Sequence, residues 1–174
     1  VEKQAEEKMN ITIKRLKKGE WERYRHIITR IECNAFTRKE RTNKWVFREL
    51  IDKYTPYTSI FYYGKQAVGY YMAATLEDSA ESDEFKRIDR QFGKHNTLYL
   101  FSIGVLREYQ NIGIGRVMMN DLLKVGGRKF RRISFHSKNK NFRRLAFKLG
   151  FRIITYTFLD GYKMGYMAKW IRRR

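Results

Sequence analysis

Val105-Leu106-Arg107-Glu108-Tyr109-Gln110-Asn111-Ile112-Gly113-Ile114-Gly115 is the stretch on which the fold turns. It grows out of a nearly continuous apolar run, Leu98-Tyr99-Leu100-Phe101-Ser102-Ile103-Gly104-Val105, which reads as a strand buried on both faces and the best candidate for a central strand. Beyond it Ile114, Val117, Met118, Leu122 and Val125 mark one face of a helix that Gly126-Gly127 stops. A buried strand that runs through a glycine-bearing loop into a helix exposes main-chain N–H groups at the positive end of the helix dipole, a site for an anion such as phosphate. Gly113 and Gly115 let the main chain approach that anion where a Cβ would interfere. Two glycines alone fit a plain tight turn as well. A dinucleotide fingerprint needs a third glycine where Met118 stands, and a P-loop needs Gly-Lys-Ser/Thr; neither is present.

Downstream, Arg131 to His136 makes another short strand, and Phe142, Leu145, Ala146 and Leu149 form a second helical stripe that ends at Gly150. Phe151–Phe158 and Tyr162–Trp170, joined around Asp160-Gly161, read as a closing hairpin. Upstream, Ile11–Leu16 alternates like a strand. Trp21, Tyr24, Ile28 and Ile31 then fall on one helix face, and a second helix carrying Trp45, Leu50 and Tyr54 ends before Pro56. Tyr57–Tyr63 and Ala67–Thr75 flank Gly64-Lys65-Gln66 as a hairpin. The polar span from Glu77 to Asn96 reads as a long loop with a short helical turn at most. Its acids Glu77, Asp78, Glu81, Asp83 and Glu84 either rim a substrate site or form a solvated insertion. Val1 to Asn10 is charged and lacks an apolar face, so the expected organisation is a flexible lead-in, 1–10, and one domain, 11–174.

Composition narrows the function classes. No apolar run approaches the eighteen or so residues that cross a bilayer, and the expectation is a soluble protein of the cytoplasm with no membrane partner. A single cysteine, Cys33, allows no intrachain disulfide. Three scattered histidines, His26, His95 and His136, offer no spaced ligand set, so no metal is expected. Charge is the unusual feature: 38 lysines and arginines against 18 acids give a formal net +20. From Arg128 to Arg174 fifteen basic residues face one acid, Asp160, a local +14. Such a field draws polyanions, nucleic acid foremost, although a merely solvated basic face has the same composition.

The Val105–Gly115 stretch with its helix resembles the Q/R-x-x-G-x-G/A acetyl-CoA signature of the GNAT acetyltransferases. A second signature of that family, an Asn leading into a helix that ends in Gly-Phe, is matched by Asn139 eleven residues before Gly150-Phe151. The resemblance covers roughly Leu98 to Trp170 and implies an α/β (α+β) fold with a mixed, splayed central sheet flanked by helices. It implies acetyl-CoA as cofactor, with pantetheine lying in the split between the strand ending at Val105 and the strand ending at His136. By analogy, main-chain groups of Ile103 and Val105 pair with the pantetheine arm. The N–H groups of Gln110, Asn111, Ile112, Gly113, Ile114, Gly115 and Arg116 hold the pyrophosphate, and Asn139 contacts the cofactor arm or simply starts its helix.

Two departures bear on the chemistry. Many members carry a tyrosine acid four residues before Gly-Phe, where this chain has Ala146. Others carry a carboxylate base eleven residues before the loop's Gln/Arg, where it has Tyr99. Candidates to move the proton are therefore Tyr99, which alternation puts on the same strand face as Ile103 and Val105, together with His136 and the final hairpin's Tyr162 and Tyr166. A weakly basic amine would need no base, leaving catalysis to positioning and polarisation of the thioester. The implied function is transfer of an acetyl group from acetyl-CoA to an amine, carried on a modified nucleic-acid base, an aminoacyl-tRNA or a nucleic-acid-bound substrate. The alternative is a non-catalytic module of the same fold that binds nucleic acid or protein.

Overall fold

The computed structural model describes residues 10–53, 57–79, 83–159 and 161–171. Seven strands, β1 (Ile11–Arg15), β2 (Tyr57–Tyr63), β3 (Gln66–Thr75), β4 (Thr97–Val105), β5 (Arg132–Ser137), β6 (Arg152–Leu159) and β7 (Tyr162–Trp170), join in one sheet in the order β1-β2-β3-β4-β5-β7-β6. The helices are α1 (Trp21–Ala35), α2 (Lys44–Lys53), the short α3 (Leu76–Ser79) and α4 (Asp83–Ile88), α5 (Ile114–Gly126) and α6 (Lys140–Lys148). The sheet is mixed: β4 and β5 run parallel, whereas β5–β7 and β6–β7 are antiparallel. Element order follows the periodicity read from the sequence. The additions are two short helices, Leu76–Ser79 and Asp83–Ile88, where a loop with a single turn was expected, and 3-10 turns at Arg38–Glu40 and Arg107–Tyr109. The expected lead-in lies outside the described residues except for Asn10, as do Tyr54, Glu81, Asp160 and Arg172–Arg174.

The chain divides into two compact units. One contains the described residues up to Met72 with Ile103–Met118. In it β1 and β2 pair from Ile11↔Tyr63 to Arg15↔Ser59. Trp21, Ile28 and Ile31 from α1 and Phe47, Leu50 and Ile51 from α2 are buried, as their spacing requires. Trp21 stacks on Phe47 at 5.9 Å, and Phe47 meets Tyr70 edge-on at the same distance. Trp45, expected among the apolar residues of this helix, is instead 52% exposed. The buried stripe of α2 is completed by Phe47, Leu50 and Ile51, which leaves Trp45 on the outer side. Glu32 is the charged group buried here: it accepts hydrogen bonds from the Tyr70 hydroxyl and, at 2.7 Å, from the Thr42 N–H, which ties the α1–α2 connection to α1.

The other unit comprises Ala73–Ser102 and Met119 onward. Alternation along β5 divides its side chains between two faces. Phe135 packs on Phe142 of α6 at 5.1 Å and on Phe151 at 5.2 Å. On the opposite face His136 lies with Tyr99 and Tyr166 under α4. α5 comes close to the sheet at Gly126, where a Cβ would fall 2.8 Å from Leu98 and 2.9 Å from Ile133. β6 forms the sheet edge, with a bulge between Ile153 and Thr155. Among the described residues no helix is long and apolar enough to cross a membrane.

Candidate functional site

The loop that opens α5 departs from ordinary backbone geometry at alternate residues. Asn111 has φ +65° and Gly113 φ +100°, so left-handed residues alternate with their neighbours, the arrangement that turns successive N–H groups toward one point as an anion nest. The Gln110 N–H is used by the Arg107 carbonyl at 3.2 Å, and the Arg116 and Val117 N–H groups by the Gly113 carbonyl at 3.0 and 3.1 Å. Among the described residues, the five N–H groups from Asn111 to Gly115 meet no acceptor. Of the N–H groups expected from Gln110 to Arg116, the first and last thus have acceptors within the chain and the central five do not. Of its side chains Ile114 is buried, whereas Gln110, Asn111, Ile112 and Arg116 are exposed and Gly115 is half-buried.

The root of the loop is fixed on both sides. The Gln110 carboxamide folds back to donate to the Val105 carbonyl at 2.9 Å, Arg107 N–H donates to the Asn34 side chain at 2.7 Å, and the Tyr109 hydroxyl donates to Gln66 at 3.0 Å. Each bond removes freedom that an anion would otherwise have to remove on binding. Ile103 and Val105, half-buried, stand at the end of β4 immediately before this root.

Within the second unit the β4–β5 ladder runs only from Thr97↔Arg132 to Tyr99↔Ser134, although both strands continue, so the pair parts after Tyr99 as a splayed sheet requires. Tyr99 and His136 sit where it parts. The Tyr99 hydroxyl lies 2.9 Å from His136 Nδ1. Phe85 of α4 stands edge-on to both rings, at 5.4 and 5.1 Å, and Tyr166 stacks on the imidazole at 4.6 Å. Tyr166 is the residue opposite His136 across the β5–β7 ladder, which explains the stack. The hydroxyl of Tyr166 donates to Asp89, and Asp89 receives the Arg132 guanidinium at 2.5 and 2.6 Å, while Arg132 Nε donates to Thr97 at 3.0 Å. Asp89 and Arg132 are both buried.

Burial pushes the Tyr99 phenol well above the usual tyrosine range, against a smaller opposing effect of its hydrogen bond with His136. Burial also raises Tyr166, and the Asp89 carboxylate adds to the rise. Both phenols therefore stay protonated at any ordinary pH: they can donate a proton or a hydrogen bond but cannot act as the resting base. Of the residues read from the sequence, Tyr99 and His136 come together, whereas Tyr162 stands apart, its ring lying 3.3 Å below the Lys138 ammonium. Asn139 is the N-cap of α6: its side-chain oxygen accepts from the Phe142 N–H at 3.0 Å. Ala146 is fully buried. Sequence reasoning missed Asp89 and Arg132. No pattern marked either residue: Arg132 opens the strand Arg-Ile-Ser-Phe-His-Ser directly after Arg131, and Asp89 lies in a span of acids and bases that reads as solvated.

No curated protein matches the sequence. Solved structures share the fold. The ribosomal-protein-S18-alanine N-acetyltransferase from Escherichia coli superposes with a TM-score of 0.70 at 17% identity, covering 94% of this chain and 96% of that one. NAA60 from Arabidopsis thaliana, in complex with acetyl-CoA, gives 0.64 at 18% identity over 92% and 98%. Naa50 from the same plant, in complex with the bisubstrate analogue CoA-Ac-MVNAL, gives 0.68 at 16% over 91% and 97%. Residues 20–151, most of the chain and with the whole Asn111–Gly115 nest among them, match the model of the acetyltransferase (GNAT) family; the chain belongs to that family and is an acetyl-CoA-dependent N-acetyltransferase.

Proposed function

We propose that this enzyme transfers the acetyl group of acetyl-CoA to the α-amine of a polypeptide that is itself bound to nucleic acid. The observation that carries the reading is the Asn111–Gly115 nest: five converging N–H groups without acceptors at the start of a thirteen-residue helix suit a pyrophosphate and leave the thioester end of the cofactor free to react. A polypeptide acceptor is supported by the two similar structures whose acceptors are a ribosomal protein's alanine and the peptide portion of a bisubstrate analogue. Nucleic acid enters through the +14 carried from Arg128 to Arg174, far more positive charge than the phosphates of one cofactor require.

The amine nitrogen attacks the thioester carbonyl, a C–N bond forms, the C–S bond breaks, and the amine's proton must leave while the sulfur gains one. With alanine and tyrosine where the family's usual acid and base stand, we assign His136, held by Tyr99 at Nδ1 and by the face of Tyr166, to accept the amine's proton and return it to the departing sulfur. Asp89 and Arg132 are positioning residues that act through Tyr166. Ile103 and Val105 are assigned to the pantetheine arm, and Asn139, its oxygen already used as a cap, to holding α6 in place. Tyr162, its ring under the Lys138 ammonium, is given no part in the transfer.

Release of free CoA thiol tests both parts. With short peptides of free α-amine the purified enzyme should release thiol, and with the same peptides N-blocked but carrying a lysine it should not. His136→Ala should lower kcat/KM at least tenfold, about 1.4 kcal/mol of barrier. Tyr162→Phe should not. Thiol release from N-blocked peptides, or from a modified nucleoside or aminoacyl-tRNA alone, overturns the α-amine assignment. Cofactor binding with no turnover on any amine would identify a binding module instead.

A further inference from the structure

Large apolar side chains on the surface of a soluble domain are unremarkable singly but carry meaning when they line up beside charge. Tyr156 and Phe158 alternate along the edge strand β6 and point to the same side, 50% and 70% exposed. Opposite them on β7 stand Gly165 and Lys163. The Lys163 ammonium lies 4.9 Å from the centre of the Tyr156 ring. Gly165 leaves room for Arg143 of α6: a Cβ there would touch the Arg143 guanidinium at 3.5 Å and the Tyr156 ring at 3.7 Å. A guanidinium, an ammonium and two open aromatic faces thus share one surface. α6 carries two further exposed cations, Arg144 and Lys148, turned by helix geometry away from Arg143, where they add to the positive field. Among the described residues Arg143, Arg144, Lys148 and Lys163 form no ion pair, and the only acid from Arg128 onward is Asp160.

We propose that this face, built by α6 and the β6–β7 hairpin, is a stacking platform for single-stranded nucleic acid. Bases stack on Tyr156 and Phe158, and Arg143 and Lys163 take the phosphates. Strand rise puts the two rings roughly 6.6 Å apart, so each receives its own unstacked base. Every base has a π-face and every nucleotide a charge, so the platform is tolerant of sequence and sensitive to salt. A duplex offers the cations its phosphates but keeps its base faces inside the stack, leaving the two rings without a partner. A second copy of a chain of net charge +20, bringing the same cations to the same face, is repelled. The proposal gives the nucleic acid of the preceding reading a seat on the chain and rests on that reading for its purpose, while binding and acetyl transfer are measured separately.

Fluorescence anisotropy with labelled single-stranded RNA and DNA of about 12 nucleotides, with the matching duplex as competitor and several salt concentrations, tests it. The wild-type chain should bind both single strands with a steep salt dependence and prefer them to duplex. Tyr156→Ala with Phe158→Ala should lose at least tenfold in affinity with the salt slope kept. Arg143→Ala or Lys163→Ala should lower the slope by about 0.7 for each phosphate contact removed. Circular dichroism should show the double variant folded, and its thiol release with a free peptide should match wild type, so that failure of the platform and failure of the acetylation reading remain distinguishable. Equal binding by the folded double variant, equal or tighter binding of duplex, or a wild-type dimer in sedimentation that the double variant abolishes each overturns the proposal.

Discussion

Glu32 shows how much one residue can matter without touching the reaction. It lies in the last turn of α1, buried, with the Thr42 N–H and the Tyr70 hydroxyl bonded to it. Burial raises its carboxyl above the ordinary value of 4.5, and the hydrogen bonds offset only part of the rise. The folded chain therefore holds a proton there that the unfolded chain releases from about pH 4.5 upward. Stability from this group is present at low pH and declines as pH rises from the unfolded value through the raised folded one. Glu32→Gln keeps an acceptor and cannot ionise. Urea unfolding from pH 4 to 8 should show the variant losing less stability than wild type across that range and at least as stable at pH 7. A variant clearly less stable at pH 7 would mean that the carboxylate contributes favourably there. Glu32→Ala removes the acceptor altogether and should cost about 1–3 kcal/mol. Nothing in the sequence marks this glutamate: helix spacing places it beside Ile28 and Ile31, but no pattern tells a buried carboxyl from a solvated one.

At the scale of elements, α4 is held to the sheet by a clasp. Asp89, just past its last turn, meets Arg132 of β5 and Tyr166 of β7, and Phe85 covers Tyr99 and His136. Both charges are out of water, so breaking the pair leaves a buried guanidinium uncompensated. Asp89→Asn should cost roughly 3–5 kcal/mol in chemical denaturation. A loss under 1 kcal/mol would show that the pair is not buried in solution. Most elements were legible beforehand because their apolar residues recur at the right period over ten or so positions. α4 was not: six residues are too few to display a period, and the acids around it make the span look solvated. Tyr99 and His136 were each legible as candidates but their contact was not, since they are separated by 37 residues and only the parallel β4–β5 pairing brings them together. The anion nest was legible because its requirement is local: glycine, a left-handed turn and a helix start lie within five residues.

For the molecule as a whole, the sequence revealed the family's element order and the concentration of positive charge, but not the division into two compact units or the placing of β7 between β5 and β6. Both depend on pairings between distant residues. In the proposed reading the chain's chemistry rests on one local device, the Asn111–Gly115 nest, and the affinity for acetyl-CoA tests that device most directly. Gly115 is the better probe of the two glycines. Gly113 holds φ +100°, where any side chain strains the backbone, whereas Gly115 is the second residue of α5 and accepts a side chain in an ordinary helix. Isothermal titration should show the wild-type chain binding acetyl-CoA with one site, and Gly115→Val, folded by circular dichroism, binding at least tenfold more weakly, about 1.4 kcal/mol. Equal affinity in the folded variant would contradict the assignment of the pyrophosphate to this loop, and no binding by the wild-type chain would contradict its use of acetyl-CoA.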